Sequence, residues 1–341
     1  MKLKRFALLL VTLLWAGGCA SDRQIIDQAN NMHGGLKPAV ITDARLANYL
    51  QRMGQRIIDV AQEMDRAHYG PDAHRSEDPK WMFQSRMQFH FVNSQTLNAF
   101  TTGGEHMYIY TKLFQTCKTE DELAAVVAHE YAHVYGRHVH KGMNRQYAMF
   151  GGAAALGAAG YALGGKDHGK EYGLAFLGAG LVAGKFIGMG FTRGDEGEAD
   201  EMGFDFYTRA GWDPRRFGDF FQRMVDMGYD KGPEFLSDHP SLKSRKATAD
   251  QRAAELPPQA RSWRRPNVAP PEEFAALQKY SIDLGKRMPS DKSLEGAQKI
   301  LAALPRSCLT PAVHEDQKQA RQQLVNDVER EKQLQKKKKK D

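Results

Sequence analysis

Residues 120–135 read Glu120-Asp121-Glu122-Leu123-Ala124-Ala125-Val126-Val127-Ala128-His129-Glu130-Tyr131-Ala132-His133-Val134-Tyr135, and the reading of this stretch decides the fold. Thr119 followed by Glu122 forms a capping box, and Leu123, Val126, Val127 and Val134 give the helix that follows a buried side. Within it lies an H-E-x-x-H motif. His129 and His133 are four residues apart, so on a helix they stand one turn above each other and can grip one metal ion. Glu130 lies about 100° round from His129 and can reach a water on that metal.

A lone H-E-x-x-H can be two histidines on a solvated or packed helix. The segment Glu196-Gly197-Glu198-Ala199-Asp200 weighs against that, because Glu196 and Asp200 repeat the four-residue spacing on a helix that also carries Phe204 and Tyr207. Glu196 is the candidate third ligand. Asp200 can accept a hydrogen bond from the far nitrogen of a ligating histidine, which fixes that ring's tautomer and basicity. A zinc ion held in this way would lower the pKa of a bound water towards ~7 and polarise a scissile carbonyl. Glu130 would take the water's proton and later pass it to the leaving amine, with no covalent acyl-enzyme.

From about Leu46 to Arg252 the chain resembles the HtpX and CAAX prenyl protease group of zinc metallopeptidases, which are gluzincins. The resemblance rests on Asn98-Ala99-Phe100-Thr101-Thr102-Gly103-Gly104, the metal helix, Thr192-Arg193 before Glu196, and Asp238-His239-Pro240 with Arg245 downstream. The nearest branch is the periplasmic one of beta-barrel assembly-enhancing proteases and their lipoprotein relatives. The tetratricopeptide array of those proteases has no counterpart here, since the chain shows no 34-residue repeat. The resemblance implies an α+β, mainly helical gluzincin domain with a small antiparallel or mixed sheet and one zinc per chain. It makes His239 and Arg245 the candidates for a further electrophile at the tetrahedral intermediate. In a second role that the branch suggests, His239 fills zinc's open position and restrains the enzyme. It also implies that the strand before the metal helix, 103–110, is an exposed edge that adds an extended peptide as a further strand. That makes Gly103, Gly104, Met107 and Tyr108 candidate substrate contacts. The alternation of Met87, Phe89 and Phe91, and of Met107 and Ile109 against Tyr108 and Tyr110, suits half-buried strands, although the tyrosines could simply pack in a core. His138 and His140 fit the metal face poorly and read as supporting or surface residues.

Residues 1–18 carry Lys2, Lys4 and Arg5 before an apolar run and end in Ala16-Gly17-Gly18-Cys19, a lipoprotein-type signal that would leave Cys19 as the lipidated first residue. Ala20 is not the aspartate of inner-membrane retention, so the expectation is an outer-membrane anchor facing the periplasm. The expected organisation is a tether over 19–40, a metallopeptidase domain over 41–256, a proline-rich linker over 257–272 and a helical region over 273–341 with a lysine tail. Cys117 and Cys308 can form a disulfide or remain buried thiols. Residues 148–165 and 173–191 can form a transmembrane hairpin, but weakly apolar glycine and alanine and the interrupting Lys185 favour a helical flap over the site. A net charge of +7 with lysines at 336–340 reads as a solvated tail able to touch anionic lipid. The export signal disfavours nucleic acid. The expected function is a zinc endopeptidase acting on unfolded or misassembled envelope polypeptides, with the outer-membrane assembly machinery as a candidate partner. The rival is a non-proteolytic chaperone whose zinc site His239 keeps closed.

Overall fold

The computed structural model describes residues 21–70, 81–83, 86–149, 180, 183, 191–230, 241–305 and 315–338. Helix α1 (Asp22–Leu36) and helix α2 (Ala44–Tyr69) precede strands β1 (Gln88–Val92), β2 (Ala99–Thr101) and β3 (His106–Tyr110). A short helix α3 (Thr111–Thr116) leads into α4 (Glu120–Tyr135), the metal-motif helix, which is followed by α5 (His138–Met149) and α6 (Arg193–Arg209). Then come α7 (Asp219–Asp226), α8 (Leu242–Glu255), α9 (Pro271–Arg287), α10 (Lys292–Ala303) and α11 (Glu315–Lys338). The result is a mainly helical α+β structure with a small mixed sheet, as the sequence implied.

Helix α4 is the axis of the main core, and all sixteen of its residues are buried. Its amino end is capped by Thr119, whose hydroxyl accepts from the Glu122 N–H at 3.4 Å. The reciprocal half of the box is displaced by one residue: the Glu122 carboxylate accepts from the Lys118 N–H and also pairs with Arg223 of α7. The other two acids of the first turn favour the positive end of the helix dipole and also reach outward. Asp121 accepts from the Tyr207 hydroxyl and the Asp213 N–H. Glu120 accepts from the Tyr49 hydroxyl, the Trp212 indole and the Val268 and Ala269 N–H groups at 2.6–3.2 Å.

The sheet order is β1-β3-β2, with β1 parallel and β2 antiparallel to β3. This corrects the expectation for residues 103–110. Strand β3 is central, not an edge, and Met107 and Tyr108 are fully buried. Both its faces are covered: Met107 and Ile109 enter the main core, while Tyr108 and Tyr110 enter a second core with α1 and α10. The glycines after β2 serve close packing. A Cβ on Gly103, whose φ is +71°, would meet Val139 of α5 at 2.4 Å, and one on Gly104 would meet Ala29 of α1 at 2.6 Å. The edge strands are β1 and β2, and the three residues of β2 are buried.

Residues expected as tether and linker are parts of the packed body. Ser21 and Gln24 make a capping box for α1, and Ile25, Met32 and Leu36 of that helix are buried in the second core with Ile300 and Leu301 of α10. Residues 257–270 form a strap, held at one end by the bonds from Val268 and Ala269 to Glu120. Phe274 and Leu277 of α9 then join the main core. The region beyond 273 is helical as expected, but it is seated on the sheet and α1. Helix α11 continues through Lys338, so the first lysines of the terminal run are helical. Among the described residues no helix is long and apolar enough to cross a membrane. The signal segment with Cys19, nearly all of 148–191 with its hairpin and flap alternatives, His239 and Cys308 lie outside the described residues. Cys117 is a buried free thiol whose pKa burial pushes well up.

Glu120 is 2% exposed and serves four donors, so truncating it leaves buried N–H and O–H groups without an acceptor. Glu120→Ala should destabilise the protein by about 3 kcal/mol or more, read as a lower urea midpoint. An unchanged midpoint would show that the strap is not held there.

Candidate metal centre

Helix α6 is set by a capping box in which Thr192 and Asp195 exchange bonds, and it crosses α4 at Gly203. A Cβ there would lie 3.0 Å from His129 Cα and 3.1 Å from its nitrogen. Glycine therefore permits a backbone approach that no other residue allows without displacing α4. Glu196 and Asp200 precede Gly203 by seven and three residues, so all three share the face turned to the histidines.

The approach brings the two motifs together. His129 Nε2 and His133 Nε2 are 3.0 Å apart. The Glu196 carboxylate lies 3.6 Å from each of them, through Oε2 and Oε1 respectively. One ligand atom from each of the three lies within 4.8 Å of the others. His133 and Glu196 are fully buried and His129 is 2% exposed. Both Glu196 oxygens are buried without a hydrogen-bond partner, an arrangement costly for a carboxylate unless a cation completes it. Burial accordingly pushes its pKa up to about 7, against the pull of His129 and Arg245. Two imidazole nitrogens and a carboxylate oxygen converging on one point fit zinc. Glu130, on the same helix, is fully buried.

The outer nitrogens of both histidines are occupied. Asp200 Oδ1 is 2.9 Å from His129 Nδ1, the contact expected from sequence. Burial alone would raise the Asp200 pKa, but the Arg245 guanidinium and the bond from His129 hold it well below the usual carboxylate range. Arg245 forks onto both Asp200 oxygens at 2.7 and 2.8 Å and lies 3.7 Å from Glu196. Its charge is directed at Asp200 behind His129 and at the ligand carboxylate of Glu196. His133 Nδ1 is 2.8 Å from His138 Nδ1, and His138 Nε2 is 3.3 Å from Glu198. Of the two readings that sequence spacing left for His138, supporting or surface, this buried contact is the supporting one. The chain reverses after α4 through Arg137 in a left-handed conformation (φ 56°), folding His138 back under His133. Gly136, at the helix end, is the signal of that stop. His140 is also buried, but it pairs with Asp22 of α1. Phe191 stacks on the His133 ring with centroids 4.0 Å apart.

A profile of peptidase family M48 matches residues 46–253. The chain belongs to peptidase family M48. It is similar to the beta-barrel assembly-enhancing protease of Yersinia pestis, 31% identical over 226 residues, and to that of Escherichia coli strain K12, 30% identical over 226 residues. Each match covers 64% of this chain and 41% of the relative, so the chain spans about two fifths of those relatives' length. It is also 30% identical over 174 residues to the mitochondrial metalloendopeptidase OMA1 of Schizosaccharomyces pombe, covering 49% of this chain and 45% of that one. M48 proteins are metallopeptidases, and the cluster of His129, His133 and Glu196 is a donor set that could bind the metal.

In metal-free M48 protein the Glu196 pKa, raised from 4.5 to about 7, makes folding favour the protonated acid. Stability from this group is complete below 4.5 and lost as pH rises to about 7, a span of about 3 kcal/mol. Chelator-treated wild type should therefore lose urea resistance across that window more steeply than Glu196→Gln. Parallel slopes would refute the assignment.

Proposed function

We propose that this M48 protein is a zinc endopeptidase of the bacterial cell envelope that cleaves misfolded or stalled envelope and outer-membrane proteins. The reading is carried by one observation, the buried carboxylate of Glu196 with both oxygens unsatisfied against His129 Nε2 and His133 Nε2. These three residues would hold the ion. Bound there, zinc would supply a Lewis acid that acidifies water and polarises the scissile carbonyl.

The chain's own residues do the rest. Glu130 takes a proton from the attacking water and delivers it to the leaving amine. Asp200 holds His129, and His138 holds His133, each with Nε2 directed inward. Arg245 acts through Asp200 as a positioning residue. His239 is assigned the restraining role, competing with water for the open position. The match to the assembly-enhancing proteases supports an unfolded or misassembled outer-membrane client and a link to the assembly machinery. Of the two sheet edges, β1 is already bonded by the backbone of Ala39 and Ile41, so β2, beside α4, is the edge proposed to accept an extended segment.

Glu130→Gln should keep metal and fold but lose casein degradation by ~100-fold or more, while His239→Ala should match or exceed wild type. Wild type that fails on every unfolded substrate would favour the chaperone reading. A steep loss in His239→Ala with unchanged zinc affinity would make His239 an oxyanion donor instead.

Cys19 is proposed as the lipidated residue that fixes the protein to the outer membrane on its periplasmic side. Helix α1 starts at Asp22, so the folded body would begin directly at the anchor. Cys19→Ala should release the mature protein from the membrane fraction. Retention that resists alkaline extraction would point to a membrane hairpin.

A further inference from the structure

Outside the catalytic cluster, His33 of α1, His90 of β1 and His106 of β3 form a second group whose ligand atoms lie within 4.8 Å of one another. We propose that these three histidines form a second zinc site, which staples α1 to the sheet.

The geometry parallels the catalytic cluster. His90 Nε2 and His106 Nδ1 are 3.0 Å apart, the same separation as the two inner nitrogens of His129 and His133. Two nitrogens bound tetrahedrally to zinc at about 2.0–2.1 Å stand about 3.3 Å apart, so both pairs need only a small opening to admit an ion. The outer nitrogens of His106 and His33 are engaged in the manner of metal-ligating histidines. His106 Nε2 is 3.0 Å from Asn30 Oδ1, which can only accept, so the proton sits on Nε2 and the Nδ1 lone pair faces His90. His33 Nδ1 is 2.9 Å from the Tyr108 hydroxyl, leaving Nε2 to ligate. The His33 ring lies stacked on His106 at 4.1 Å and 5°. Closing the site requires that ring to swing until its nitrogen converges, and His33 is the ligand carried by a helix rather than a strand.

The donor chemistry is consistent with this. Burial, and then the neighbouring imidazoles, lower His90 to about 3 and His106 to about 4. Burial and Lys37 also lower His33. All three are neutral at neutral pH, the form that binds metal. No acid belongs to the triad, and an all-imidazole set suits zinc over magnesium or calcium. The ligands come from three elements separated in sequence by 57 and 16 residues (90 − 33 and 106 − 90), so an ion here would oppose separation of α1 from the sheet. That would be a structural role, at the end of α1 away from the proposed anchor.

The test is zinc stoichiometry of the full mature chain after chelation and re-equilibration with zinc, with circular dichroism to verify folding. Wild type should hold about two equivalents and His129→Ala/His133→Ala about one. His33→Ala leaves the buried apolar face of α1 intact, and should lower affinity for one of the two ions by at least ~10-fold. Cobalt bound to the His129→Ala/His133→Ala protein should give a visible absorption spectrum that His33→Ala removes. A folded His129→Ala/His133→Ala protein without zinc, or His33→Ala with two ions at wild-type affinity, would overturn the second site and leave the catalytic reading standing. Wild type holding a single ion that His129→Ala/His133→Ala keeps and His33→Ala loses would support the second site and overturn the catalytic reading.

Discussion

The site depends on the contact between Gly203 and the backbone of His129. With a hydrogen as its side chain, Gly203 lets α6 lie against α4 where a Cβ would come within 3.0 Å of His129 Cα. The distances from α6 to the histidines follow from that approach. Glu196 reaches both inner nitrogens and Asp200 reaches the outer nitrogen of His129 because they share Gly203's face. The contact is polar at its centre and apolar around it, with Ala199, Phe204, Phe206 and Tyr207 buried. This apolar surround holds Glu196 in a place where its charge is disfavoured, and so prepares it for a cation.

The opposite end of α4 is fixed by different physics. Glu120, Asp121 and Glu122 sit at the positive end of the helix, but burial makes their partners more consequential than the dipole. Between them they bind α2, α6, α7 and the strap at 267–269. The histidines therefore lie in the second half of a helix tied at its start by carboxylates and pressed at His129 by α6. Such ties suit a centre whose ligands must hold their places before the metal arrives.

Segments flanking the M48 region belong to the same packed body. Helix α1 buries Ile25, Met32 and Leu36 against α10 and the tyrosines of β3, and α9 buries Phe274 and Leu277 beside Tyr49 and Phe114. The chain's two ends thus complete both faces of the sheet. Strand β3 is the middle for another reason: β1 and β2, both within the M48 region, pair with its two edges.

Local chemistry made part of this legible from sequence alone. The helical period places His129 with His133 and Glu196 with Asp200, and Thr119 and Thr192 announce where their helices begin. Those regularities need only neighbours within a turn or two. The helix α2 and the helical end of the chain were legible for the same reason. Composition and spacing could not decide which strand is the edge, that residues 22–36 pack, that His138 returns beneath His133, or that Arg245 forks onto Asp200. Nor could they bring His33, His90 and His106 together. Each depends on groups distant in sequence meeting in one orientation, and alternating apolar residues describe a strand buried on one face as readily as one buried on both. Only the tertiary fold, through strand order and the close crossing at Gly203, settles which groups meet.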